Sequence, residues 1–276
     1  MSYSYSKGVC NFKKPIKVGS KTLATREWIE VSNGKITVDL APLPGLHLET
    51  LEESLQDFKN ATYKTPSALF VKEVFELFTG IQEVDIISNG LLYIDLSKSA
   101  EELSSSLNSG STYKIKIGRN DLSLESKWVE KLLQKLPKDV SIRLDGNMSF
   151  SADELNRYLE SIDLSKIQYI EEPLRNLDEW ANVTRSEELN FALDENISLR
   201  RELDFASYIV AKPTWNISLK ETLKELAVEN QEVIISSAFE PPNNLKILKM
   251  IASESEQVAG LDTLTFFDLD SLIVQN

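Results

Sequence analysis

The sequence predicts an α/β fold: a trim barrel of alternating strands and helices, preceded by a small α+β domain. Three observations predict it. From about residue 89 onward, strand-like runs recur with helical segments between most of them, which implies parallel strands joined by right-handed crossovers. Seven or eight such units fill the stretch 89–276, enough to close a barrel. The alternative, a doubly wound open sheet, would usually carry a glycine-rich first turn, and the sequence has none.

The first domain is expected over residues 1–88. WIEVSNGKITVDL holds two alternating runs joined through Ser32-Asn33-Gly34, a hairpin signal in a small antiparallel sheet. In HLETLEESLQDF, Leu48, Leu51, Leu55 and Phe58 recur at helical spacing. A second helix opens with Thr65 as cap and Pro66 in the first turn, and Phe70, Val71, Val74, Leu77 and Phe78 make its apolar face. The second domain is expected over 89–276, with its C-terminal tail returning to the first. Its strands are read at GLLYIDL, TYKIKIG, SIRLDGN, IQYIEEP, NFALDEN, SYIVAKP, EVIISSAF and GLDTLTF. Helices are read at SLESKWVEKLLQKL and SLKETLKELAVEN, with a stub at SLRRELDF.

Composition narrows the chemistry. The 276 residues carry a net charge of −13, which disfavours nucleic acid or an anionic membrane surface as a partner. No run of about 18 apolar residues could span a bilayer, and MSYSYSKGVCNFKK lacks the apolar run of a signal peptide. The single cysteine, Cys10, excludes an internal disulfide and a thiolate metal cluster, and a cytoplasmic location is expected. His47 is the one histidine, so a His-rich zinc site is excluded, and a Ser-His-Asp triad would have to use a residue inside PLPGLHLET. Acid–base chemistry therefore falls to Lys, Asp, Glu or Tyr. A metal would be held by oxygens, as Mg²⁺ with Mn²⁺ the alternative. Nothing in the sequence fixes an oligomeric state.

The strand ends carry a recurring charge. SIRLD ends at Asp145, QYIE at Glu171, NFALD at Asp194 and YIVAK at Lys212, while Lys114 and Lys116 alternate with Ile115 and Ile117 in YKIKIGR. From Lys116 through Lys212 these positions lie 29, 26, 23 and 18 residues apart, the length of single βα repeats. The two lysines read either as the solvated face of an edge strand or as a buried functional pair. Any one carboxylate alone reads as a loop or cap residue. Three on successive strands, bracketed by lysines, would repel each other unless a divalent cation stood between them. The cation and an opposite lysine would then lower an ammonium pKa and ready it as a base.

Together, Lys-x-Lys, RLDGN, YIEEPL, ALDEN, VAKPTW, ISS and GLDTL resemble the enolase superfamily in its muconate-lactonising branch, and within it the o-succinylbenzoate synthase family. APLPGLHLET resembles that family's capping domain, and the likeness runs from about Leu23 to Leu264. It implies a modified (β/α)7β TIM-like barrel with an N-terminal capping domain. It implies Asp145, Glu171 and Asp194 as Mg²⁺ ligands, and Lys116 as base and then acid. Lys114 would lie beside it, and Lys212 would stabilise the enolate by charge. Asn147 and Glu195 would stand behind the ligands, and Ser236 and the backbone of Gly260 would touch substrate. Arg143 points inward by parity and is placed to meet a carboxylate.

The implied reaction is that of a lyase: dehydration of an anionic cyclohexadiene carboxylate with a succinyl chain, in menaquinone biosynthesis. Superfamily members are expected to use a Lys or His base with Mg²⁺. Pro241-Pro242-Asn243-Asn244 departs from the family's Ser-Ser-x-Gly-like turn, which leaves the substrate pocket less defined than the metal site. Two alternatives stand beside this reading. One is a racemase of N-acylated amino acids or a dipeptide epimerase using Lys116 and Lys212 on opposite faces. The other is a non-catalytic barrel, which would have no need to keep all six charged positions.

Overall fold

The computed structural model describes residues 2–184, 189–200, 202–203, 206–228 and 231–275. The chain groups into two compact units, Met1–Ile87 with Ala211–Asn276, and Ser88–Val210.

The first unit opens with β1 (Ser4–Val18), β2 (Lys21–Ser32) and β3 (Thr37–Leu40). The expected hairpin is there: β2 and β3 pair antiparallel with Ser32 opposite Thr37, and Gly34 takes φ +84° in the turn. Helix α1 (Leu51–Lys59) starts later than the leucine spacing suggests. Thr50 and Glu53 form a reciprocal capping box that fixes the start, so Leu48 lies outside the helix and fully exposed. Helix α2 (Pro66–Leu77) has Thr65 at its N-cap, but the hydroxyl donates to Asp57 Oδ2 at 2.9 Å instead of capping the helix.

The second unit carries the parallel sheet. In chain order come β4 (Gly90–Tyr93), α3 (Ala100–Ser105), β5 (Thr112–Lys116), α4 (Leu122–Lys135), β6 (Ser141–Asp145), α5 (Ala152–Leu159), β7 (Ile167–Glu171), β8 (Phe191–Leu193) and β9 (Tyr208–Ala211). Strands β4 to β9 lie side by side in sequence order, and each pairs parallel with the next. From β5 to β9 the crossovers shorten along the chain. Between β8 and β9 stands a single 3-10 turn, Ile197–Leu199; residues 201, 204 and 205 of SLRRELDF lie outside the described residues. Ile115, Ile117, Ile142, Leu144 and Ile170 pack with Val129, Leu132 and Leu155 in one apolar core. Both faces of these strands are covered, as a parallel sheet requires.

The chain then returns to the first unit with α6 (Leu219–Leu226), β10 (Glu232–Ile235), α7 (Pro242–Ala252) and β11 (Phe267–Gln275). GLDTLTF does not form the eighth regular strand. It makes an isolated parallel bridge, Gly260 to Ser236, followed by a 3-10 turn at Leu264–Phe266. Strand β11 pairs antiparallel with β1, giving the order β11-β1-β2-β3. Phe267 joins Cys10, Phe12 and Trp28 in the core beneath this sheet.

No helix among the described residues is long and apolar enough to cross a membrane.

Candidate active site

The lysine pair does not sit on an edge. β5 lies between β4 and β6, and the Lys114 and Lys116 side chains are 12% and 17% exposed. Register places the charges at two levels. Lys116, Asp145 and Glu171 are successive cross-strand partners at the carboxyl ends of β5, β6 and β7; Lys114, Arg143 and Tyr169 lie one layer below. Lys114 Nζ donates to both oxygens of Glu171 at 2.8 Å and lies 3.1 Å from Asp145 Oδ2. Lys116 Nζ donates to the same Asp145 oxygen at 2.5 Å and to Asn147 Oδ1 at 2.7 Å.

Asp145, Glu171 and Asp194 are wholly buried. Such charges are costly unless paired, and the lysines supply the pairing for Asp145 and Glu171. Burial acts to lower the Lys114 pKa, but the charges of Glu171 and Asp145, and then Tyr169 and Asp194, overcome it and hold the ammonium well above its usual value. Lys114 faces these carboxylates directly, and their charge favours its ammonium form.

The turns behind the charges are held by Asn147 and Glu195, which the sequence pointed to, and by Glu172, which it did not. Glu172 is fully buried and accepts the backbone N–H groups of Asp194 and Asn196 at 2.9 and 3.2 Å and the Asn196 amide at 2.7 Å. Burial pushes its carboxyl up, and these hydrogen bonds oppose the shift. Glu172, Asn147 and Met148 take φ of 37°, 41° and 55°, a region non-glycine residues seldom occupy, and all three follow a strand that ends in a carboxylate. The Asn147 amide donates to Glu195 Oε1 at 3.3 Å, which links the turns after β6 and β8. Arg143 is wholly buried; it donates to Gln168 Oε1 at 2.8 Å and Asn89 Oδ1 at 3.0 Å and stacks 5.1 Å from the Tyr169 ring centroid. Its acceptors are protein amides.

Lys212, Ser236 and Gly260 belong to the other unit. The Lys212 N–H donates to Asn216 Oδ1 at 2.8 Å, and its Nζ lies 5.2 Å from the Trp215 ring centroid. Ser236 and Gly260 come together: Ser236 Oγ donates to the Gly260 carbonyl at 3.3 Å, and the Gly260 N–H to Ile235 at 2.9 Å. His47 is structural, since Nδ1 accepts the Leu43 N–H at 3.0 Å and Nε2 faces the Thr214 carbonyl at 2.9 Å. The Pro241-Pro242-Asn243-Asn244 stretch opens α7, with Pro241 at the N-cap.

Asp145, Glu171 and Asp194 offer only carboxylate oxygens, the donor set a hard dication such as Mg²⁺ prefers. Among the described residues no three acidic, His or Cys side chains close around one point, and the lysine ammoniums bond the oxygens of Asp145 and Glu171. The donor chemistry fits a divalent ion on these three residues.

Residues 98–209 match the Enolase C-terminal domain-like family. An o-succinylbenzoate synthase of Pectobacterium atrosepticum is 33% identical over 166 residues, covering 55% of this chain and 50% of the relative. That of Aliivibrio salmonicida is 26% identical over 272 residues, covering 87% and 83%.

Residues 98–209 form an Enolase C-terminal domain-like region.

The fold, a parallel sheet with an antiparallel N-terminal sheet, is that of an N-terminal capping domain with a modified (β/α)7β barrel. A crystal structure of o-succinylbenzoate synthase from Thermosynechococcus elongatus, complexed with magnesium, has TM-score 0.75 at 20% identity, covering 97% of this chain and 94% of its own. The L-Ala-D/L-Glu epimerase of Bacillus subtilis has TM-score 0.75 at 15% identity, covering 100% and 96%. At these identities the two structures establish the shared fold. The first curated relative is matched over half its length, the second over most of it.

Proposed function

We propose that the chain is a divalent-metal-dependent lyase of the o-succinylbenzoate synthase type, dehydrating a succinyl-bearing hydroxycyclohexadiene carboxylate. The observation that carries this reading is the buried cluster in which Lys114 and Lys116 meet Asp145 and Glu171 at neighbouring strand ends. The curated relatives support the choice of reaction, since both are named as this synthase.

Asp145, Glu171 and Asp194 would hold Mg²⁺, with Mn²⁺ as a substitute. When bound, the ion supplies Lewis-acid stabilisation of the charge that develops on the substrate carboxylate, an effect of several kcal/mol. Lys116, in its amine form, breaks the C–H bond α to the carboxylate and keeps the proton on Nζ. The C–O bond then breaks, the hydroxide leaves with its electron pair, and Lys116 returns the proton to it as water. One lysine performs both transfers, so both occur on one face. The ring ends aromatic, which draws the second half downhill. Lys114, held protonated by Glu171 and Asp145, supplies a fixed positive charge beside the developing anion. Asn147 fixes the Lys116 amine through its Oδ1. Lys212 is assigned to charge stabilisation, and Ser236 with Gly260 to substrate contact.

An ultraviolet assay of o-succinylbenzoate formation tests the reading, run with Mg²⁺ and again with EDTA. Magnesium-dependent aromatisation is expected. Racemisation of N-succinyl amino acids without any dehydration would replace the synthase with the racemase.

A further inference from the structure

The loop leaving β5 carries a further cation, Arg119. Its backbone is fixed from below. Glu125, fully buried in the first turn of α4, accepts the N–H groups of Gly118, Arg119 and Asn120 at 2.6, 3.1 and 3.1 Å, and the Asn120 amide at 3.0 Å. A buried carboxylate with four donors leaves such a loop little freedom. The Arg119 side chain is exposed. Its guanidinium stands 5.6 Å from the Tyr93 ring centroid, and Nη2 donates at 3.3 Å to Asn147 Oδ1, the oxygen that also receives Lys116 Nζ at 2.7 Å. Tyr93 is itself the cross-strand partner of Lys116. Arg119 is thus one shared oxygen away from the proposed base.

Lys114 and Lys116 are spent on buried carboxylates, whereas Arg119 meets one acceptor among the described residues out of a guanidinium with five N–H groups. A planar fork braced on an aromatic face suits bidentate capture of a carboxylate. We infer that Arg119 determines specificity by receiving the substrate carboxylate remote from the reacting carbon. This rests on the proposed reading that the substrate is a dicarboxylate with a succinyl arm.

The test uses the Mg²⁺-loaded protein, Arg119→Ala and Arg119→Lys. Calorimetric probes are o-succinylbenzoate, its succinyl-end monoamide and an N-succinyl amino acid. Arg119→Ala should raise KM for dehydration and weaken o-succinylbenzoate binding by about tenfold to a hundredfold, as loss of a charge-assisted pair does. It should alter kcat far less and leave the monoamide's affinity in place, with Arg119→Lys recovering part of the loss. If Arg119→Ala weakens the diacid and the monoamide equally, or neither, the assignment of Arg119 is overturned while dehydration stands. No binding of any of the three probes to the wild type overturns it as well. Absence of dehydration with Arg119-dependent binding of the N-succinyl amino acid would retain the clamp and remove the synthase reading.

Discussion

At the scale of single residues, the site depends on small groups that no charge pattern reveals. Gly118 is the clearest. It lies two positions past Lys116 with φ +72°, and a Cβ there would stand 1.9 Å from Ser149 Oγ and 2.8 Å from the Phe150 ring. Strain and overlap act together, so Gly118→Ala should cost about 1–3 kcal/mol in urea unfolding and lower dehydration with it. An alanine variant as stable as the wild type would mean the loop can move aside. The charged positions could be read directly from the sequence, because five of them end a strand-like run and Lys114 alternates with Ile115 inside one. Glu172 and Glu125 could not, because their role is to capture backbone N–H groups, a contact set by the folded path and not by spacing.

Among the elements, α7 shows how a departure in sequence became a structural tie. The Asn243 amide donates to Asp39 Oδ1 at 3.0 Å, and the Asn244 amide donates to the Asp39 carbonyl at 2.9 Å and to Glu240 Oε2 at 3.2 Å. Arg26, buried beside them, donates to the carbonyls of Phe239, Ala41 and Pro42. Asp39 is fully buried. Burial, with the charges of Glu30 and Glu240, pushes its carboxyl from 3.8 up to about 7 against the hydrogen bonds from Asn243 and Asn244. The folded protein therefore keeps this proton up to about pH 7, while the unfolded chain releases it near pH 4. Stability should fall as pH rises through that window and level off above it. Asp39→Asn removes the titration. Relative to wild type it should gain stability between pH 5 and pH 8, by up to about 3 kcal/mol as a ceiling. Urea titrations at the two pH values measure this, and an equal difference at both would show that Asp39 is ionised when folded.

For the whole molecule, the alternation of strands and helices made the parallel sheet readable, because parallel neighbours need a crossover between them. In the amino-terminal sheet the return of the C-terminal tail was expected, but its register was not readable; β11 pairs with β1 across about 260 residues, which leaves no local mark. The eighth unit was overread, since GLDTLTF has a strand's composition but only one bridge. Lys116 is the amine assigned to move the proton, and the most direct measurement is its removal. Lys116→Ala, assayed at saturating Mg²⁺ against wild type, should lose about 100- to 10,000-fold in kcat, the range for a positioned general base, with its thermal unfolding little changed. Dehydration by the alanine variant at the wild-type rate would show that another group moves the proton.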